Sequence, residues 1–115
     1  MSWILRVQDK FSAAHFLREY KGKCEHIHGH TFRVEVQLEV NELNQTGIGI
    51  DFLEIKKALA FILPDHKNLN EAYDFNPSAE NLARHFYGEL KTHFPVKAVT
   101  VWESEDAAAT YFEGQ

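Results

Sequence analysis

The chain has 115 residues, 44% of them apolar and 25% charged, which suits one domain over residues 1–115 with one core and leaves too little chain for two. No apolar run approaches the roughly 18 residues of a membrane span, and a formal charge of −5 with no basic cluster argues against nucleic acid as a partner. A lone cysteine excludes an internal disulfide, and Met1 to Arg6 lack the basic-then-apolar pattern of a secretory leader, so a cytoplasmic protein is expected.

Trp3 to Leu17 reads as a strand. Trp3, Leu5 and Val7 alternate with Ile4, Arg6 and Gln8, and the period resumes at Phe11. Phe11-Ser12-Ala13-Ala14-His15 is dense in small residues, which lets another backbone or a metal site sit close. Arg18 to Lys23 is polar with a glycine and reads as a loop. His28 to Val40 is the second strand, with apolar residues at the even positions. Two long strands joined by a short connection predict an antiparallel pair.

Asn41 to Gly49 is rich in turn residues. Asp51 then caps a helix, with Glu54 in the reciprocal capping position. Phe52, Ile55, Leu59 and Ile62 follow at helical spacing, and Pro64 ends the helix. The stretch from Asp65 to Pro77 reads as loop. A second helix starts near Pro77-Ser78, capped either by Asn76, with Pro77 in the first turn, or by Ser78. Leu82, Ala83, Phe86 and Leu90 form its apolar stripe, and Phe94-Pro95 closes it. Val96 to Glu103 and Ala107 to Phe112 are the last two strands, joined by a tight polar turn. The order β-β-α-α-β-β predicts an α+β sandwich: an antiparallel four-stranded sheet with two helices on one face.

The chemistry concentrates in Cys24-Glu25-His26-Ile27-His28-Gly29-His30, which holds the only cysteine and three of the seven histidines. His28 and His30 share the parity of Phe32, Val34 and Val36, so both imidazoles point to the buried side. A shared metal ion is the best reason for two neutral imidazoles to converge there. His15 is the third candidate ligand, because an antiparallel partner brings the end of strand one beside the start of strand two. Three protein ligands and an open position suit a catalytic zinc. Taken alone, each histidine is more simply a core or surface residue. Their grouping and the uncrowded Gly29 between two of them argue for the site.

Cys24 admits three readings: a small buried apolar residue, a reactive thiol in a polar loop, or a fourth ligand that would close the site. Asp65-His66 is either a solvated loop pair or a proton-transfer partner in which the carboxylate fixes the imidazole tautomer. Glu103 shares the parity of Val99 and Val101. It is either a strand-end carboxylate in water or a half-buried acceptor for a planar ligand with adjacent N–H groups. His26, His85 and His93 read as surface residues.

Six landmarks now stand in one order. They are Phe11-Ser12-Ala13-Ala14-His15, Cys24 followed by His28-Gly29-His30, Gly49-Ile50-Asp51-Phe52, Asp65-His66-Lys67 with Leu69-Asn70, Asn76-Pro77-Ser78-Ala79-Glu80-Asn81, and Trp102-Glu103-Ser104. With them the chain resembles the 6-pyruvoyl-tetrahydropterin synthase / 6-carboxy-tetrahydropterin synthase family over nearly its whole length. The resemblance implies a T-fold whose subunits close into a barrel as a homo-oligomer, trimer or hexamer, with active sites at subunit interfaces. It implies one zinc per subunit on His15, His28 and His30. It also implies a catalytic Cys24 with the Asp65-His66 pair, and a pterin-anchoring Glu103. The implied substrate is 7,8-dihydroneopterin triphosphate, with Lys21, Lys23 and Lys67 as candidates to meet its phosphates. Pro64 stands where many relatives have leucine, and Ser78 and Ser104 replace the more usual threonines but keep the hydroxyl. The short chain and compact loop before Cys24 look like the branch that makes 6-carboxy-5,6,7,8-tetrahydropterin, with loss of triphosphate and acetaldehyde, for queuosine biosynthesis. The pyruvoyl-forming branch is the alternative product. A non-catalytic pterin- or metal-binding protein and a structural zinc module are the alternatives of a different class.

Overall fold

In the computed structural model, which describes residues 1–18, 22 and 26–114, the chain is built on one long hairpin. Strands β1 (Trp3–His15) and β2 (His28–Val40) pair antiparallel from Trp3 opposite Val40 to His15 opposite His28. The alternation seen in sequence becomes two faces. Val7, Phe11, Ala13 and His15 of β1 and Phe32, Val34, Val36 and Leu38 of β2 are buried on one face. The other face is mostly polar. Glu35 is buried there, its carboxylate accepting from the amides of Gln8 at 2.7 Å and Gln37 at 3.1 Å.

Helix α1 (Phe52–Ile62) begins at Asp51, whose carboxylate accepts from Leu53 N–H at 2.9 Å. Ile55 and Leu59 are its buried residues. Phe52 shares a cavity with Trp3, Leu5 and Ile48 and is half exposed, so the buried stripe is narrower than the spacing predicts.

The sheet has five strands, not the expected four. A two-residue strand β3 (Lys67–Asn68) lies parallel to β1 at Ala13 and Ala14, giving the order β3-β1-β2-β4-β5. The cause is a docking that no periodicity could reveal: Ser12 donates its N–H to Asp65 Oδ1 at 2.8 Å and accepts from His66 N–H at 2.6 Å. The expected loop to Pro77 also contains one turn of helix, α2 (Leu69–Ala72), capped by Asn68.

Helix α3 (Ala79–Leu90) is capped by Ser78, whose hydroxyl accepts from Asn81 N–H at 3.1 Å, which decides between the two predicted caps. Leu82, Ala83, Phe86 and Leu90 are buried as expected, together with Ala79 and Tyr87. Strand β4 (Val96–Trp102) pairs with β2, and β5 (Ala108–Tyr111) pairs with β4. Both strands stop short of their predicted ends, and β1 stops at His15 rather than Leu17. α1 packs on β1 and α3 on β4 and β5. One cluster of buried residues joins both helices to the inner sheet face. At its centre Phe11 and Phe32 stack at 4.8 Å, with Phe86 edge-on to Phe11.

Candidate metal centre

Strand register alone assembles most of the site. His15 and His28 are opposite partners on β1 and β2, and His30 follows two residues on, opposite Ala13. The three rings meet edge to face, with centroids 4.5 Å apart for His15 and His28, 4.6 Å for His28 and His30, and 5.2 Å for His15 and His30. Ala13 leaves room that a larger side chain would take. Phe32 closes the inner side, edge-on to His15 at 5.3 Å and His30 at 5.6 Å.

Two backbone carbonyls decide how these rings present themselves. His15 Nδ1 lies 2.8 Å from the Pro77 carbonyl, and His28 Nδ1 lies 2.7 Å from the His26 carbonyl. A carbonyl only accepts, so each Nδ1 carries the proton and each neutral ring keeps its Nε2 lone pair free. An outer hydrogen bond of this kind orients a metal-bound imidazole. His15 is fully buried, and burial holds its pKa below the ordinary 6.5. The neighbouring His28 and His30 push the same way, while the Pro77 carbonyl and Glu103 oppose it. The ring is therefore kept neutral, the form that ligates.

The chain reaches Glu103 immediately after β4, where Glu103 N–H donates to the Ala107 carbonyl at 3.1 Å. Its Oε1 lies 3.2 Å from His30 Nε2 and 3.8 Å from His15 Nε2. Neither contact has hydrogen-bond geometry. His15 Nε2 and His30 Nε2 are both buried without a hydrogen-bond partner among the described residues. An orphaned buried nitrogen is costly, of the order of 1–3 kcal/mol, and two aimed at one point call for a shared ligand. One donor atom from each of His15, His28, His30 and Glu103 lies within 4.8 Å of the others. Tetrahedral zinc with bonds of 2.0–2.1 Å would set its donors about 3.4 Å apart. The donor set, three imidazoles and a carboxylate, fits zinc.

The Asp65-His66 pair stands apart from this cluster. Asp65 Oδ2 accepts from His66 Nδ1 at 3.0 Å, and both side chains are exposed, 52% and 83%. Asp65 Oδ1 takes the Ser12 N–H, so the carboxylate straps the turn to β1 with one oxygen and orients His66 with the other. The Ser12 bond chiefly, and His66 after it, hold the Asp65 carboxyl below its ordinary pKa. His66 adopts a positive φ of 57°, a region histidine enters more readily than most residues. Lys67 and His66 line a cavity of about 620 Å³ with Ser12 and Thr31. Cys24, Lys21 and Lys23 lie outside the described residues.

Thus the expected ligands His15, His28 and His30 come together, and Glu103 joins them. A cavity of about 270 Å³ beside them is lined by His30, Glu103, Ser104, Ala79 and Glu80 among others. The pieces sequence reasoning missed are the Pro77 and His26 carbonyls. Main-chain acceptors carry no residue signature, and only the fold places them.

Comparison with known proteins gives a consistent neighbourhood. Residues 4–114 match the family model described as 6-pyruvoyl tetrahydropterin synthase. A 6-carboxy-5,6,7,8-tetrahydropterin synthase from Synechocystis is 32% identical, over 96% of this chain and 93% of its own. A dihydroneopterin monophosphate aldolase from Pyrococcus furiosus is 34% identical, over 84% of this chain and 85% of its own. The solved 6-pyruvoyl tetrahydropterin synthase of Caenorhabditis elegans superposes with a TM-score of 0.87 at 28% identity, covering 99% of this chain and 97% of that one.

Proposed function

Because the chain belongs to the 6-pyruvoyl tetrahydropterin synthase family, we propose that it is a zinc-dependent lyase converting 7,8-dihydroneopterin triphosphate to 6-carboxy-5,6,7,8-tetrahydropterin, with release of triphosphate and acetaldehyde. The observation that carries this reading is the convergence of His15, His28 and His30 with buried, unpartnered Nε2 atoms on His15 and His30. The carboxy-named relative from Synechocystis favours that product over the pyruvoyl one. The product places the reaction in queuosine biosynthesis.

The three histidines hold the ion. What zinc supplies there is Lewis acidity toward the hydroxyls of the substrate side chain. Glu103 accepts from the adjacent N–H groups of the pterin edge, a charge-assisted bidentate contact. Its place 3.2 Å from His30 Nε2 sets that edge beside the imidazoles. Asp65 keeps the proton of His66 on Nδ1, which leaves Nε2 to take a proton from a side-chain carbon and return it. The Cys24 thiol is the second proton carrier. Triphosphate leaves with its bonding electron pair as the adjacent carbon loses its proton.

His66 and Asp65 are exposed and lie outside the histidine cluster of their own chain. We take this as support for sites completed across the interfaces of a homo-oligomer, trimer or hexamer, in which one copy's pair serves another copy's zinc.

The Pyrococcus furiosus relative supports a second reading, an aldolase acting on dihydroneopterin monophosphate. The deciding experiment offers zinc-loaded protein both phosphate esters and identifies products by mass spectrometry. Carboxy-tetrahydropterin and acetaldehyde from the triphosphate establish the first reading. Pyruvoyl-tetrahydropterin changes the product assignment and keeps the site. Cleavage of the monophosphate alone moves the protein to the aldolase reading. No conversion of either ester, with zinc bound, leaves a pterin-binding protein.

A further inference from the structure

Asn70 and Asn76 stand in two of the sequence landmarks, and nothing above gives either a role. Their side chains do the work of a missing strand. Beyond His15 the chain leaves the β ladder, and the peptides of Phe16 and Arg18 have no strand partner. Asn70 Oδ1 accepts from Phe16 N–H at 2.9 Å and its Nδ2 donates to Phe16 O at 3.1 Å. Asn76 repeats the pattern one alternate residue on, accepting from Arg18 N–H at 2.8 Å and donating to Arg18 O at 3.4 Å. Phe16 and Arg18 are two apart, the spacing at which an extended chain turns the same edge outward. A carboxamide is the smallest side chain carrying both a donor and an acceptor in the geometry of a peptide group. The Arg18 guanidinium closes the clamp from the other side, donating to the carbonyls of Asp74 at 2.8 Å and Asn70 at 3.3 Å.

Asn76 also ties this clamp to the metal centre. Its carbonyl accepts from Asn81 Nδ2 at 2.9 Å and from Ser78 N–H at 2.9 Å. The next carbonyl along the chain is that of Pro77, which takes the proton of His15 Nδ1. One end of the segment thus carries His15, and the other carries the acceptor that orients it.

We propose that Asn70 and Asn76 are positioning residues of the metal centre, whose side-chain amides lock the 16–18 segment to the 70–77 segment so that the Pro77 carbonyl holds His15 in the tautomer that leaves Nε2 free. This rests on the reading of His15, His28 and His30 as metal ligands. When the clamp opens, Pro77 O moves away from Nδ1. The His15 proton then shifts to Nε2, where it blocks ligation. Aspartate at position 76 is the sharpest probe, because it keeps the shape and the acceptor but sets a carboxylate oxygen against the Arg18 carbonyl.

The test begins with the metal-free wild-type protein. ¹⁵N chemical shifts of the imidazoles are expected to show His15 protonated at Nδ1, and protonation at Nε2 overturns the proposal without any variant having to fold. The second arm compares Asn76→Asp with Asn44→Asp, a change in the exposed 41–49 turn. Thermal unfolding and mass confirm that each is folded and assembled. Zinc affinity is then measured by chelator competition, and the ligand field by cobalt absorption. Asn76→Asp is expected to bind zinc about 10–100-fold more weakly, as for other outer-shell changes, with an altered cobalt spectrum, while Asn44→Asp matches the wild type. A folded Asn76→Asp with wild-type affinity and spectrum overturns the proposal. If the wild-type protein binds no zinc, the metal reading fails, and the His15 tautomer still decides whether the clamp acts as described.

Discussion

His15 and His28 face each other across the β1–β2 ladder with ring centroids 4.5 Å apart, and each spends its Nδ1 proton on a main-chain carbonyl. The two Nε2 lone pairs are therefore fixed before any ion arrives. Removing either ring takes away a ligand rather than an outer contact. His15→Ala or His28→Ala is expected to weaken zinc by well over the roughly 100-fold of an outer-shell change. Metal content after dialysis against a chelator checks this, and a variant retaining one zinc per chain sinks the assignment of that residue.

The burial that keeps His15 neutral also makes the metal-free protein acid-sensitive. Its folded-state pKa lies below the unfolded value of 6.5. The unfolded chain therefore takes up the proton first as the pH falls. The stability His15 contributes is complete above 6.5 and is lost as the pH drops through the folded-state value. The melting temperature of the metal-free protein should fall between about pH 7.5 and about pH 5.5, and His15→Asn should flatten that slope. Zinc raises the melting temperature at the upper end and loses its effect at the lower, since protons compete for the same Nε2. A zinc-induced shift that is the same at both ends would contradict this account.

The strands that carry the site were legible because their period is strict. His28, His30, Phe32 and Val34 share one parity, and the register that places His15 opposite His28 follows from a long antiparallel hairpin. The helix caps at Asp51 and Ser78 were legible for a similar reason, since each is a local hydrogen bond made within three residues. What stayed hidden was non-local and main-chain. β3 is two residues long, too short to show any period, and it exists because Asp65 reaches back to Ser12. The carbonyls of Pro77 and His26 leave no mark in a sequence, although they set the tautomers of two candidate ligands. The shortening of β1 at His15 has the same origin, because asparagine side chains take over where a strand partner was expected.

Gly49, in the landmark before α1, is a packing position. A Cβ there would lie 2.7 Å from Val40 Cγ2 and 3.5 Å from Leu43 Cδ2. Valine is stiff at χ1, and Val40 is the last residue of β2, so relief requires backbone movement at the strand end. Gly49→Ala should cost about 1–3 kcal/mol, read from denaturant unfolding. Val40→Ala should remove most of that cost in the double variant, giving a coupling of about 0.5–3 kcal/mol. Additive effects would mean that the clash is not what fixes glycine here.

The Asp65-His66 pair allows a test of where the catalytic halves meet. His66 sits at φ 57°, where asparagine is also tolerated. His66→Asn should therefore keep the fold and melting temperature while losing activity on the order of 10²–10⁴-fold, as expected for a lost proton carrier. Asp65→Asn should lose activity as well. An amide has one acceptor where Asp65 uses two, one for Ser12 N–H and one for His66 Nδ1. His28→Ala should be inactive for a different reason, loss of the ion. If sites are shared between copies, refolding His66→Asn together with His28→Ala regenerates interfaces carrying an intact pair from one chain and intact histidines from the other. Such mixtures should recover a sizeable fraction of wild-type activity, whereas each variant alone stays inactive. Recovery absent from mixed oligomers of verified composition would place the whole site in one chain, and the separation of His66 from the histidine cluster would then require the turn at residues 65–66 to move during turnover.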